Sequence, residues 1–216
     1  MVATKKQQPA GAATSGGIKI PDLNIQTMKL TLVGDSPLIV HAWSKKAKEA
    51  ILAKQQKKAS KGKEVRDPER DFQESLYRMD DETYGFPAVA FKAAAVTVCS
   101  QIDGITKVFA RQTFHVLGGD LIRIRGDEPV MREDMVRVGM GTADLRYRGE
   151  FKQWWAALEI EYNASAISKE QLVNIFNTSG FGVGIGEWRP EKDGRNGRYH
   201  VASDEELARL EHGVAS

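Results

Sequence analysis

Apolar and polar residues alternate from Thr27 to Val33, where Met28, Leu30 and Leu32 are separated by Lys29 and Thr31. A period of two is the signature of a strand with one buried face, so this stretch predicts the first strand. Trp155 to Tyr162 repeats the pattern, with Leu158, Ile160 and Tyr162 alternating with Glu159 and Glu161. Three shorter stretches interleave apolar residues with arginines: Ile122 and Ile124 with Arg123 and Arg125, Val136 and Val138 with Arg137, Leu145 and Tyr147 with Arg146 and Arg148. On strands, each would set its arginines on one sheet face. Helical spacing appears in two main places. Pro87 opens the Ala- and Val-rich run AVAFKAAAVTVCSQI, which predicts a closely packed buried helix. Ser168 and Gln171 have capping-box spacing ahead of Leu172, Val173, Ile175 and Phe176, and Gly180 stops that helix.

Residues 1–19 lack large apolar groups, so ordering them would bury little, and a disordered arm is expected there. A single α+β domain over 20–202 follows, and 203–216 reads as an acidic tail. At 216 residues and 41% hydrophobic content the chain is large enough for one real core. One cysteine, Cys99, allows no internal disulfide. No uncharged apolar run approaches the roughly 20 residues that cross a bilayer, and the first residues lack the apolar core of a signal peptide. A cytoplasmic protein without a membrane partner is expected.

Net charge is only +2, but its distribution is uneven. From Ser44 to Arg66 nine basic residues meet two acids, a local net of +7. Between Asp67 and Glu82 the balance reverses to −5. Ser44 is a plausible N-cap for a helix through SKKAKEAILAKQQKKA whose second half is polar on every face. Lys45, Lys46, Lys54, Lys57, Lys58, Lys61 and Lys63 there suit a phosphate backbone, which a basic loop follows without reading sequence.

The segment Phe181–His200 combines five glycines with Trp188, Arg189, Lys192, Arg195, Arg198 and Tyr199. Glycines let backbone N–H groups approach phosphate, arginine supplies forked charge-assisted bonds, and flat rings accept unpaired bases. Arg123, Arg146 and Arg148 complete the candidate nucleic-acid contacts. The competing reading is a surface hairpin whose Glu187, Glu191 and Asp193 neutralise its charge. Familiar catalytic and cofactor signatures are absent. There is no phosphate loop, HExxH, CxxC or GxSxG, and the glycines of GVGIG follow a helix instead of opening one. Asp80, Asp81 and Glu82 read as a solvated loop, so neither metal nor cofactor is implied. His41 is the one candidate general base.

Three segments together resemble the RAMP superfamily, RNA-binding proteins of CRISPR ribonucleoproteins. GFPAVAFKAAAVTVC looks like that family's helix entry, ALEIEYN followed by SKEQLVNIF like its late strand and helix, and GFGVGIGEWRPEKDGRNGRY like its glycine-rich loop. They cover about half the chain, in the family's order. The resemblance implies a ferredoxin-like, RRM-related antiparallel sheet in β-α-β-β-α-β order with helices on one face. Nucleic acid would be gripped across the sheet and the glycine-rich loop, and residues 53–84 would form an inserted finger. It also implies subunits assembled side by side on a strand. In some members a histidine near the first helix cleaves RNA without metal, a placement that His41 matches. The first expectation is therefore a sequence-independent binder of single-stranded DNA or RNA that coats it as a homo-oligomer. The alternatives are a metal-independent endoribonuclease using His41, and a structural or inhibitory protein that binds another protein.

Overall fold

A computed structural model describes residues 22–43, 51–53, 55, 56, 66–138 and 141–213. The expected N-terminal arm and nearly all of the lysine-rich segment lie outside the described residues. The chain begins with β1 (Ile25–Gly34) and β2 (Leu38–Val40), then α1 (Pro68–Ser75), β3 (Gly85–Pro87), α2 (Ala88–Val98) and α3 (Lys107–Thr113). Strands β4 (Phe114–Leu117), β5 (Leu121–Arg123), β6 (Arg125–Gly126), β7 (Val130–Val138), β8 (Thr142–Phe151) and β9 (Trp154–Asn163) follow. The last elements are α4 (Lys169–Gly182), β10 (Tyr199–Val201) and α5 (Asp204–Gly213).

The main sheet has the order β10-β1-β9-β4, with every neighbouring pair antiparallel. Read along the chain, β1-α2-β4-β9-α4-β10 is a β-α-β-β-α-β unit. The fold is therefore α+β and ferredoxin-like, the topology that the family resemblance implies. The remaining strands and α1 are additions to this unit. Strands β2, β8 and β7 make a separate three-stranded sheet, and β3 pairs with β5.

Period-two alternation places the core on one side of the main sheet. Leu30 and Leu32 of β1 and Trp154, Ala156, Leu158, Ile160 and Tyr162 of β9 are buried against α2 and α4. Helix α2 contributes Phe91, Ala94, Ala95 and Val98, small enough at the alanines to let the helix lie close on the strands. Helix α4 starts at the capping box read in the sequence: Ser168 Oγ accepts from Gln171 N–H, and the Gln171 side chain accepts from Ser168 N–H. Its Phe176 packs edge-on to Phe114 of β4.

The expected acidic tail forms α5 over Asp204–Gly213. Ser203 and Glu206 cap its start reciprocally. His200 joins this helix to the sheet, with Nδ1 2.6 Å from Asp35 and Nε2 3.0 Å from Glu206. Burial works against charge on His200, but the two carboxylates outweigh it and raise its pKa. Among the described residues no helix is long and apolar enough to cross a membrane, and no cluster of metal-ligating side chains is found.

Candidate nucleic-acid interface

The face of the main sheet opposite the helices carries Thr27, Lys29 and Thr31 on β1, Glu159 and Glu161 on β9 and His115 on β4. Register sets Lys29 against Glu159 and Thr27 against Glu161. The same face carries Trp155 with the Arg125 guanidinium 4.7 Å over its ring, and a cavity there is lined by Arg125, Trp155 and Arg209. The alternation that built β9 puts Glu159 and Glu161 on this face, beside the Trp155–Arg125 pair.

A second groove lies on the helix side. One cavity of about 320 Å³ is lined by His41, Trp43, Arg66, Asp71, Arg146 and Tyr147. A second, of about 350 Å³, runs between α2 and the glycine-rich loop, past Ala90, Ala93, Ala94 and Thr97. These helix positions recur at three- and four-residue spacing, so their short side chains form one smooth wall. The loop contributes Val183, Gly184, Ile185, Gly186 and Glu187. His41 lines both cavities, which therefore meet at its ring.

The glycine-rich segment is a built-in loop and not the surface hairpin of the competing reading. Its backbone is tied to the β1–β2 connection: Gly197 N–H donates to Pro37 O, Glu187 N–H to Ile39 O, and Arg198 N–H to Ser36 Oγ. Gly197 has φ +66°, and a Cβ there would lie 1.7 Å from Ile185 O. Gly186, at φ +78°, would set a Cβ 2.5 Å from Ile39 O. Only glycine meets both demands, a left-handed backbone and close approach of two chain segments.

The sequence-selected side chains separate into distinct groups. Trp188 is 41% exposed, and its Nε1–H donates to Asp134 at 3.2 Å, which holds the ring in place. Lys192 and Arg195 are exposed and form no ion pair among the described residues. Arg189 is bound by Glu191 at 2.7 Å and donates to Gly186 O. Arg198 stacks 5.1 Å above the Phe181 ring. Arg123 sits on the small β3–β5 sheet, paired with Asp81 at 2.7 Å. Arg146 shares Asp144 with Arg66.

Two of the selected residues are interior. Tyr199 is 1% exposed, its hydroxyl 2.7 Å from Ser179 Oγ and its ring edge-on to Trp154. Burial raises its pKa far above the ordinary phenol value. Arg148 is 3% exposed and bridges Asp134 at 3.0 Å and Glu187 at 3.5 Å. Neither presents a surface to a strand, and both leave the candidate interface. Of the lysine segment, residues 51–53 are helical with Ile51 and Leu52 exposed; Lys45, Lys46, Lys54, Lys57, Lys58, Lys61 and Lys63 lie outside the described residues.

Sequence reasoning missed Trp43 and Arg66. Trp43 ends a strand region, where tryptophan is usually packed inside, yet it is 67% exposed. Arg66 was read only as the last charge of a run. The two flank the lysine segment, and both line the first cavity. The chain therefore leaves for the lysine segment and returns from it at the same cavity mouth. His41 is half-buried, and its pKa is lowered first by burial and then by the Arg148 charge, so the ring is neutral at pH 7.

The class is thus a ferredoxin-like α+β protein with a groove beneath its glycine-rich loop. Among the solved structures that match, the chain is similar to Cmr6 from Pyrococcus furiosus, with 10% identity over 84% of this chain and 100% of that one, at a TM-score of 0.43. No family model and no curated protein matches the chain.

Proposed function

We propose that this chain binds single-stranded DNA or RNA with little regard to sequence and coats it as an oligomer, the strand lying in the groove that meets at His41. One observation carries this reading. A segment of local net charge +7 has both its ends, Trp43 and Arg66, at the mouth of that groove. The groove walls themselves carry no surplus of positive charge, since Arg66, Arg146 and Arg189 face Asp71, Glu74, Glu187 and Glu191. Attraction for phosphate then comes from the lysines, and the groove supplies shape and stacking surface.

Trp43 lines this path with its ring exposed, and the exposed Trp188 stands between Glu187 and Arg189, which line its second cavity. Stacking one unpaired base on an aromatic ring contributes about 1–3 kcal/mol. Replacing Trp43 by alanine is therefore expected to weaken single-strand binding about fivefold to a hundredfold while leaving the salt dependence unchanged. Titrations at several salt concentrations check both halves of that statement.

The experiment that tests the function is fluorescence anisotropy with labelled single-stranded DNA, single-stranded RNA and duplex across a salt series, with RNA integrity followed on gels in EDTA. Tight single-strand binding that falls steeply with salt supports the proposal. No binding at low salt removes it and turns attention to a protein partner. RNA cut in EDTA, with cleavage lost and binding kept in His41→Ala, would make the chain an endoribonuclease. Its neutral imidazole at the junction of the two cavities is the form a general base requires.

A further inference from the structure

Strand β7 is the outer strand of the β2-β8-β7 sheet. It is nine residues long, contains no proline, and no described residue bonds to the backbone groups of its outer edge. The end strands of the main sheet are far shorter, three residues in β10 and four in β4. Long open edges are normally shortened, charged throughout or covered, because their free N–H and C=O groups pair with any strand that arrives. Here the edge also exposes apolar groups, with Met131 47% and Met135 71% accessible and Leu145, opposite Met135, at 41%. We infer that the β7 edge is a two-fold interface with a second copy of this chain, joining two three-stranded sheets into one of six.

The register follows from hydrogen-bond geometry and charge. In an antiparallel pair only alternate residues point their backbone groups outward, so two copies of β7 must meet about a residue and not between two. A centre at Asp134 would set two carboxylates against each other, and one at Glu133 would do the same. A centre at Val136 leaves both charged residues of the exposed face without an opposite charge. A centre at Met135 sets Glu133 against Arg137 of the second copy, Met135 against Met135, and Arg137 against Glu133. All three pairs lie on the same sheet face, because Met131, Glu133, Met135 and Arg137 are two residues apart. The sequence Met-x-Glu-x-Met-x-Arg is thus self-complementary about its second methionine. Glu133 also lies opposite Tyr147 across the hairpin, where its carboxylate raises the tyrosine's pKa.

The inference is independent of nucleic-acid binding and is tested without it, by sedimentation of the full chain over a wide range of concentration. Dimers that dissociate on dilution are expected. Glu133→Arg and Arg137→Glu each create two like-charge pairs and should weaken association roughly tenfold to a hundredfold. The double variant restores both opposite-charge pairs and with them the dimer. Circular dichroism confirms that each single variant, changed at an exposed position, keeps the fold. A wild-type monomer at every concentration, single variants that associate normally, or a double variant that stays monomeric would each overturn the inference.

Discussion

Replacing Asp134 by alanine is expected to destabilise the fold by about 3–5 kcal/mol, the range for removing one partner of a buried ion pair. Asp134 is 7% exposed and takes bonds from Arg132 Nε at 2.9 Å, Arg148 Nη1 at 3.0 Å and Trp188 Nε1 at 3.2 Å. Without it Arg148 keeps only Glu187 at 3.5 Å, and its Nε has no partner already. An uncompensated guanidinium would remain inside the protein. Burial alone would raise the Asp134 pKa, but the bonds from Arg132 and Arg148 outweigh it and hold the carboxylate below its ordinary range. A depressed acid stabilises the fold above its unfolded pKa, and that contribution is lost as pH falls through the folded value. Urea unfolding at neutral pH should show the loss in Asp134→Ala, and the difference from wild type should shrink in acid. The double change Asp134→Leu with Arg148→Met should recover part of the loss, since no charge is then left buried. A loss below about 1 kcal/mol at neutral pH would mean that Arg148 finds another way to water.

This cluster also shows where the sequence stopped being legible. Alternation in β1 and β9 was readable because it records a single fact, one face packed on helices, and each residue carries the signal independently of distant partners. The same holds for the Ser168–Gln171 cap, where both members of the bond lie within one turn. Arg146 and Arg148 have the same alternation, and it does set them on one face of β8. Whether such arginines are free depends on Asp134, which lies across the hairpin, and on Glu187, which lies on another loop. For the glycine-rich segment the choice between loop and surface hairpin was undecided for a related reason. Its bonding partners, Ser36, Pro37 and Ile39, are about 150 residues earlier in the chain. Tyr199 looked like a base platform because aromatic residues beside arginines look alike whether they face inward or outward. Some signals were local and still overlooked: Ser203 and Glu206 have capping-box spacing, which marks the start of α5 inside what read as an acidic tail.

Reversing Lys57, Lys58 and Lys61 to glutamate is expected to lower single-strand affinity by about a hundredfold near 0.1 M salt. Each phosphate contact on a single strand contributes about 0.7 to the slope of log K against log salt, so three lost contacts remove about two units of slope and about two decades of affinity at that salt. The reversed charges add repulsion, which makes this a lower bound. Arg189→Gln supplies the contrast. Its guanidinium is already engaged by Glu191 and by Gly186 O, so a phosphate would only replace a carboxylate, and the change should cost less than about threefold. If the groove arginines carried the electrostatic attraction instead, the order would invert: Arg189→Gln would flatten the salt dependence and the lysine triple would leave it intact. Anisotropy titrations of both variants at several salt concentrations separate the two. Whichever variant changes the slope marks where phosphate is held, and whichever changes only the intercept marks a contact that positions the strand without neutralising it.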